Sequence, residues 1–252
     1  MGRLEGKVCV VTGAASGIAR AGAEAFVQEG AIVGLLDRNA DGLAEVEQQL
    51  GSSSFALPCD VTDEASVEAA FAEVERRHGR LDVLYTCAAV QLIGEDGPVH
   101  ELPTEVWDRT HNVNIRGVFL CCKYGSRLMI KAGNGGSIIN AGSPTGLTTC
   151  GADWPAYSSS KAAVMGLTRA MAPELAKHGI RVNGIVPGSI TTPLTQVLHD
   201  DPVVGPEIAA MHPIGRLGKP KDMAGIAVFL ASDDSAFATA SHFFVDGGIS
   251  VR

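Results

Sequence analysis

Short apolar runs recur along the chain: "KVCVVTG", "AIVGLLD", "SFALPCD", "LDVLYTCAA", "GSIINAG", "IRVNGIVPG" and "SHFFVDGG". Most are rich in valine and isoleucine, and several end on glycine, aspartate or proline. Strands of a parallel sheet have this character, because helices cover both faces. The intervening stretches "ADGLAEVEQQL" and "DEASVEAAFAEVERRHG" carry apolar residues at helical spacing with charges opposite. Asp63 predicts the N-cap of the second and Gly79 its stop. Strand and helix alternate throughout, which predicts an α/β fold: a doubly wound parallel sheet with right-handed crossovers and helices on both faces. No composition break or repeat divides the chain, so residues 1–252 are expected to form one domain. The irregular, proline-bearing stretch "TTPLTQVLHDDPVVGPEIAAMHPIGRLGKP" is too long for an ordinary connection, and predicts a lid near 191–218.

Composition narrows the partners. The chain has 252 residues, 46% of them hydrophobic, enough for a substantial core. No apolar run approaches the roughly 18 residues that span a membrane. The start "MGRLEGKVCVVTG" has neither a signal-peptide nor a myristoylation pattern, so a cytoplasmic location is expected. A net charge of −8 argues against nonspecific nucleic-acid binding. The six cysteines form no CxxC pair and read as buried free thiols. The seven histidines show no ligand spacing; no metal is expected, and they read as residues of exposed loops and helix ends.

Candidate chemistry begins in the loop Gly13-Ala14-Ala15-Ser16-Gly17-Ile18-Ala19, between the first apolar run and a helix. Gly13 lets the chain turn sharply off the strand. Gly17 lets backbone approach a pyrophosphate at the helix N-terminus. Ala19 holds the position that packs helix on sheet, and its methyl is expected to pack there without obstructing the phosphates. Asp37 ends the second run, where a carboxylate accepts bonds from the adenosine ribose and repels a 2′-phosphate, favouring NAD over NADP. Arg38, next to it, softens that discrimination. In "CDVT", Asp60 with Val61 either faces the adenine or opens a turn.

Farther on, "AYSSSKAAV" places Tyr157 and Lys161 four apart, on one helix face. To exchange a proton near neutral pH, a tyrosine needs its phenolate favoured by about 4 kcal/mol. A neighbouring ammonium supplies help of that kind.

Together these motifs resemble the short-chain dehydrogenase/reductase family in its single-domain branch. The likeness runs the length of the chain through "VTGAASGI", "LLDRN", "CDVTD", "HGRLDVL", "NVNIRGVF", "GGSIINAGSPTG", "AYSSSKAAV", "IRVNGIVPG", "TTP" and "FFVDGG". It implies a Rossmann-type, seven-stranded parallel sheet, a NAD or NADP cofactor and a homotetramer. It implies that Tyr157 is the acid/base, that Lys161 lowers its pKa and holds the nicotinamide ribose, and that Ser143 bonds the substrate oxygen. Asn114 is implied to hold a water linking Lys161 to solvent. Ser16, Ile18, Cys87, Ala88, Ala89, Pro187, Gly188, Ile190 and Thr192 are implied to line the cofactor. The chain departs from the pattern at Ala19, at Thr86-Cys87-Ala88-Ala89 where Asn-Asn-Ala-Gly is usual, and at Ala240 where glycine is common.

The expected reaction is NAD-dependent interconversion of a secondary alcohol and a ketone. The alternatives are an NADPH-dependent ketoreductase and a catalytically silent dinucleotide-binding sensor. Gln91, Ser143, Thr145, Trp154 and Tyr157 are the expected substrate residues, with Pro144, Cys150, Ala152, Asp153 and the Leu194–Met211 lid around them. That lining suits a cyclic or polyol-like alcohol as well as a hydroxy acid or a steroid.

Overall fold

The computed structural model describes residues 2–148 and 154–251. The first half of the chain runs β1 (Val8–Thr12), α1 (Gly17–Gln28), β2 (Ile32–Asp37), α2 (Ala40–Leu50), β3 (Ser54–Pro58), α3 (Glu64–His78) and β4 (Val83–Thr86). Next come α4 (Thr104–His111), a π-helical turn (Asn112–Gly117), α5 (Val118–Ala132), β5 (Gly136–Ala141), α6 (Pro155–Ala176) and β6 (Ile180–Pro187). The chain closes with α7 (Gln196–His199), α8 (Val204–Met211), α9 (Ala224–Ala231) and β7 (His242–Val245).

All pairings are parallel, and the seven strands stand in the order β3-β2-β1-β4-β5-β6-β7. Crossovers from β1 build the sheet one way and those from β4 the other. Between them, at the carboxyl ends of β1 and β4, no crossover fills the crevice, and there a doubly wound sheet binds its ligand.

The period of two along a strand divides the core between the faces. Val8 and Val10 of β1 join one buried cluster with Phe71, Leu120 and Val164, from α3, α5 and α6. Cys9 and Val11 join the other with Phe26, Leu43 and Val228, from α1, α2 and α9. Every residue of β1 is buried, as its unbroken apolar run requires. The caps of α3 are the expected ones: the Asp63 carboxylate accepts from the Ala65 N–H at 3.1 Å, and Gly79 takes the left-handed conformation at φ +67°. Cys9, Cys59, Cys121 and Cys122 are buried free thiols and Cys87 is a half-buried one; Cys150 lies outside the described residues.

Two departures from the expected outline matter. The stretch 191–218 contains α7 and α8 instead of being irregular throughout. Its base is closed: Thr191 N–H donates to Gly218 O at 3.0 Å, and Gly218 N–H to Ser189 O at 2.9 Å. Ala240 has φ +58°, the one positive value at a non-glycine position among the described residues. This left-handed backbone costs alanine about 1 kcal/mol that glycine would not incur. No described helix is long and apolar enough to cross a membrane, and no cluster of described side chains has metal-ligand grouping.

Candidate active site

The crevice opens into a cavity of about 400 Å³. The turn from β1 into α1 forms one end. Gly13 has φ +77°, and a Cβ there would stand 3.0 Å from the N and Cα of Ala88, at the end of β4. Only glycine brings the two strand ends this close. Gly17 also has positive φ, at +59°. Ser16 caps α1 in position only: its side chain bonds no first-turn amide, and that turn carries no acid. The free N–H groups at the start of α1 suit an anionic phosphate. Ala19, at 3% exposure, belongs to the buried cluster beneath α1 and also touches the cavity wall.

Asp37 faces the cavity from the end of β2 and is tied into the fold. Its Oδ2 accepts from Ala15 N–H at 3.2 Å and its Oδ1 from Asn39 N–H at 2.9 Å. Arg38, Asp60 and Val61 line an adjoining space of about 680 Å³, which shares Gly13, Asp37, Ala88 and Ala89 with the first. Of the two readings of Asp60, the turn is the one observed. It opens a turn by accepting from the Thr62 amide and hydroxyl at 2.9 and 2.8 Å, bonds that hold its carboxyl below the usual range.

The altered motif after β4 has its own solution. Thr12 Oγ1 accepts from the Cys87 and Ala88 amides, both at 3.1 Å. Thr86 Oγ1 donates to Asn140 Oδ1 at 2.7 Å, and Asn140 Nδ2 donates to Thr168 Oγ1 at 2.9 Å. β4, β5 and α6 are thereby tied without the usual asparagine. The Cys87 thiol lines the cavity and is pushed up to about 11 by burial, so it remains neutral there.

Tyr157 and Lys161 reach the cavity from α6, and Ser143 from the end of β5. Ser143 Oγ accepts from Thr145 N–H at 3.3 Å, capping the turn Pro144–Gly146, pairs with the Thr145 hydroxyl at 3.0 Å, and exerts a downward pull on the Tyr157 phenol pKa. Gly146 sets the approach of that turn to α6: a Cβ would meet Ala162 N at 2.7 Å and Lys161 C at 2.9 Å. Lys161 is 4% exposed, and its Nζ donates to Ala141 O at 2.9 Å. That nitrogen lies 5.8 Å from the centre of the Tyr157 ring.

The expected lowering of the Tyr157 pKa is not produced by the chain's own groups. Burial pushes the phenol up to about 12, against the smaller downward pull from Ser143. Burial also brings Lys161 down to about 8, weakening the cation that was expected to help. Both shifts have one cause: a low-dielectric pocket disfavours whichever form is charged.

Asn114 lies behind the cavity, fully buried in the π-helical turn. Its Oδ1 accepts from Val90 N–H at 2.8 Å, and its Nδ2 donates to Val90 O at 2.9 Å and Ser160 Oγ at 3.0 Å. Those bonds occupy the side chain with the β4–α4 loop and α6.

Of the expected substrate residues, Gln91, Pro144, Thr145 and Trp154 line the cavity together with Leu194, Leu198, Ile208 and Met211; Cys150, Ala152 and Asp153 lie outside the described residues. Pro187, Gly188, Ile190 and Thr192 follow the wall from β6. Sequence reasoning missed Ile249, which enters the cavity from the turn after β7. His199 and His212 end α7 and α8, the helix-end places expected of the histidines, but neither is exposed; His242 instead opens β7 and is half-buried. His199 lines the cavity, lowered in pKa by burial and by its neighbour His212. His212 is buried, accepts from Ser189 N–H at 3.2 Å and donates through Nδ1 to Ile208 O at 2.8 Å.

A family model described as enoyl-(acyl carrier protein) reductase matches residues 13–250. The uncharacterised oxidoreductase YxbG of Bacillus subtilis (strain 168) is 43% identical over 258 residues, covering 99% of this chain and 93% of that protein. An NAD-dependent glycerol dehydrogenase of Listeria innocua is 37% identical over 247 residues, covering 98% and 94%. The crystal structure of a short-chain type dehydrogenase/reductase from Mycobacterium marinum superposes with a TM-score of 0.92 at 33% identity, covering 99% of this chain and 97% of that one. Likeness of this extent has one reading: the chain belongs to the short-chain dehydrogenase/reductase family of oxidoreductases.

Proposed function

We propose that the protein interconverts a secondary alcohol and a ketone with NAD as cofactor. The observation that carries the reading is the meeting of Ser143, Tyr157 and Lys161 on one wall of the cavity into which the glycine turn opens. When bound, the nicotinamide dinucleotide supplies the hydride acceptor or donor. Gly13, Ser16, Gly17 and Ile18 receive its phosphates, Asp37 its adenosine ribose, and Asp60 and Val61 flank the adenine. Cys87, Ala88, Ala89, Pro187, Gly188, Ile190 and Thr192 line the nicotinamide end.

Tyr157 takes the alcohol proton in oxidation and returns it in reduction. Ser143 donates to the same oxygen as it becomes a carbonyl. Lys161 holds the nicotinamide ribose and lends positive charge to the phenolate. Asn114 fixes the loop and helix between which these groups work. The stretch 191–218 acts as the substrate lid, with Gln91, Thr145 and Trp154 facing the substrate.

The choice of NAD rests on Asp37, whose carboxylate opposes a 2′-phosphate. Arg38 beside it favours the competing assignment, an NADPH-dependent ketoreductase. Assembly into a homotetramer is supported by exposed apolar residues on α4, α5 and β7: Trp107, Phe119, Ile130 and Phe244. Light scattering at micromolar concentration checks it; a monomer is the contrary result.

Absorbance of the reduced cofactor, followed with a panel of alcohols and ketones and with NAD or NADP, tests the reaction. Tyr157→Phe should lower turnover by about 10²-fold or more and leave NADH binding in place. Because the phenol is the protonated form below its pKa, oxidation should quicken as pH rises above neutrality. Near-normal single-turnover rates in the Phe variant would remove Tyr157 from the reaction.

A further inference from the structure

The start of α6 has an unusual support. Trp154 occupies its N-cap and offers no side-chain bond. Pro155 follows and has no N–H to satisfy. The first helical bond is Ser158 N–H to Trp154 O, at 2.9 Å. That leaves the N–H groups of Ala156 and Tyr157 without partners inside the helix.

Asp96 takes both of them. It belongs to the loop between β4 and α4 and is 6% exposed. Its Oδ1 accepts from Ala156 N–H at 3.2 Å and its Oδ2 from Tyr157 N–H at 2.9 Å. Two adjacent amides on two carboxylate oxygens fix both the position and the plane of the group. The carbonyl side of Tyr157 is held as well. Ser160 Oγ donates to Tyr157 O at 2.6 Å, and Asn114 Nδ2 donates to that hydroxyl at 3.0 Å. Asn114 in turn clasps the Val90 peptide.

The loop that carries Gln91 into the cavity is therefore bonded directly to the N–H of Tyr157 through Asp96, and linked to its carbonyl through Asn114 and Ser160. Within the loop, Asp96 N–H donates to Leu92 O at 2.8 Å, so its carboxylate sits on a tight turn that begins at the residue after Gln91.

We infer that Asp96 is a positioning residue for the reaction: it holds the phenol of Tyr157 in register with Ser143, and couples that register to the loop that meets the substrate. The inference rests on the assignment of Tyr157 as the acid/base. Asp96 acts through the backbone and touches neither cofactor nor substrate. An aspartate suits the task because both oxygens accept. Asparagine keeps one acceptor and turns an NH2 toward the second amide, donor against donor. Alanine leaves both buried amides unpaired.

The test compares Asp96→Ala and Asp96→Asn with the unmodified enzyme, using three readouts. Turnover should fall by about 10²-fold in the Ala variant and about tenfold in the Asn variant, the scale expected when a reacting group is misplaced by an ångström. NADH affinity should stay within about twofold, because the phosphate cradle lies on α1, away from these bonds. Hydrogen exchange should accelerate at Ala156 and Tyr157, while the remainder of α6 stays protected. Wild-type turnover in a folded Ala variant would overturn the inference. So would a parallel fall in turnover and NADH affinity with protection lost along all of α6, the mark of a general structural role. Should the Ala variant not fold, the Asn variant decides by the same measurements. If the unmodified enzyme oxidises no alcohol and reduces no ketone, it is the proposed reaction that fails. Exchange at Ala156 and Tyr157 then judges the anchor alone, and unchanged protection there would reject it.

Discussion

The two ends of the cavity are built by different kinds of contact. At the cofactor end, Gly13, Gly17 and Asp37 act through backbone geometry and through bonds to nearby amides such as Ala15 and Asn39. At the reacting end, Tyr157, Lys161 and Asn114 are held by groups from other elements, in a setting that opposes the charged forms of Tyr157 and Lys161. The first arrangement stabilises the fold as it builds the site. The second holds a charge where burial disfavours it, and the rest of the fold must offset that cost.

Lys161→Met separates the two ends most sharply. Turnover should drop by about 10²-fold, the scale of losing an acid/base partner. Thermal stability should rise, because the folded-state pKa of about 8 lies below the usual 10.5. The sign follows from proton linkage: the unfolded chain binds the Lys161 proton more tightly, so the penalty is complete below about pH 8 and fades toward pH 10.5. The gain in Tm should accordingly be largest at neutral pH and shrink on alkaline titration. A variant no more stable than the parent at pH 7 would contradict the contrast.

Gly146→Ala comes next. Its methyl would collide with the backbone of α6 at Lys161 and Ala162, which cannot move as a side-chain tip can. A loss of about 1–3 kcal/mol in denaturant unfolding is expected, with turnover falling further than NADH affinity.

At the cofactor end, Asp37→Ala should narrow the preference for NAD over NADP by about tenfold in kcat/KM, about 1.4 kcal/mol. It should also lower stability slightly, since the Ala15 and Asn39 amides lose their acceptor. Equal use of both cofactors by the unmodified enzyme would refute the role given to Asp37. The smallest effect is expected for Ala19→Gly: up to about 1 kcal/mol of stability from helix propensity, and little change in NAD affinity by calorimetry. A large gain in affinity would mean that the methyl obstructs the phosphates after all.

The same contrast explains what was legible in the sequence. The strand runs, the α3 caps at Asp63 and Gly79, and the glycine turn are set by neighbours within a few positions, and each stands where its pattern puts it. Tyr157 and Lys161 were found by their spacing on one helix face and Ser143 through family resemblance, and the fold brings the three together. Asp96, Ile249 and His212 gave no signal, because their partners lie on other elements: α6, the cavity wall, and the turn after β6. The acidity of Tyr157 was unreadable for a related reason. Spacing places an ammonium on the same helix face, but burial decides the sign of the shift. The helices α7 and α8 were obscured by the prolines and acidic residues around them.

The closed base of the 191–218 stretch has an evolutionary consequence. Ser189, Thr191 and Gly218 pin the two stems together, and a side chain at Gly218 would collide with Ile190. The chain thus leaves and re-enters the body of the protein at a fixed point, whatever lies between. Lengthening a loop already closed at its root adds only a small, logarithmic entropy term. Insertions and exchanges between Gln196 and Ala209, which leave the bonds of His212 to Ser189 and of Ile214 to Gly247 in place, should therefore cost folding little while they reshape the cavity wall. Specificity can drift in such a segment by cassette replacement, without the cofactor half of the molecule having to change in step.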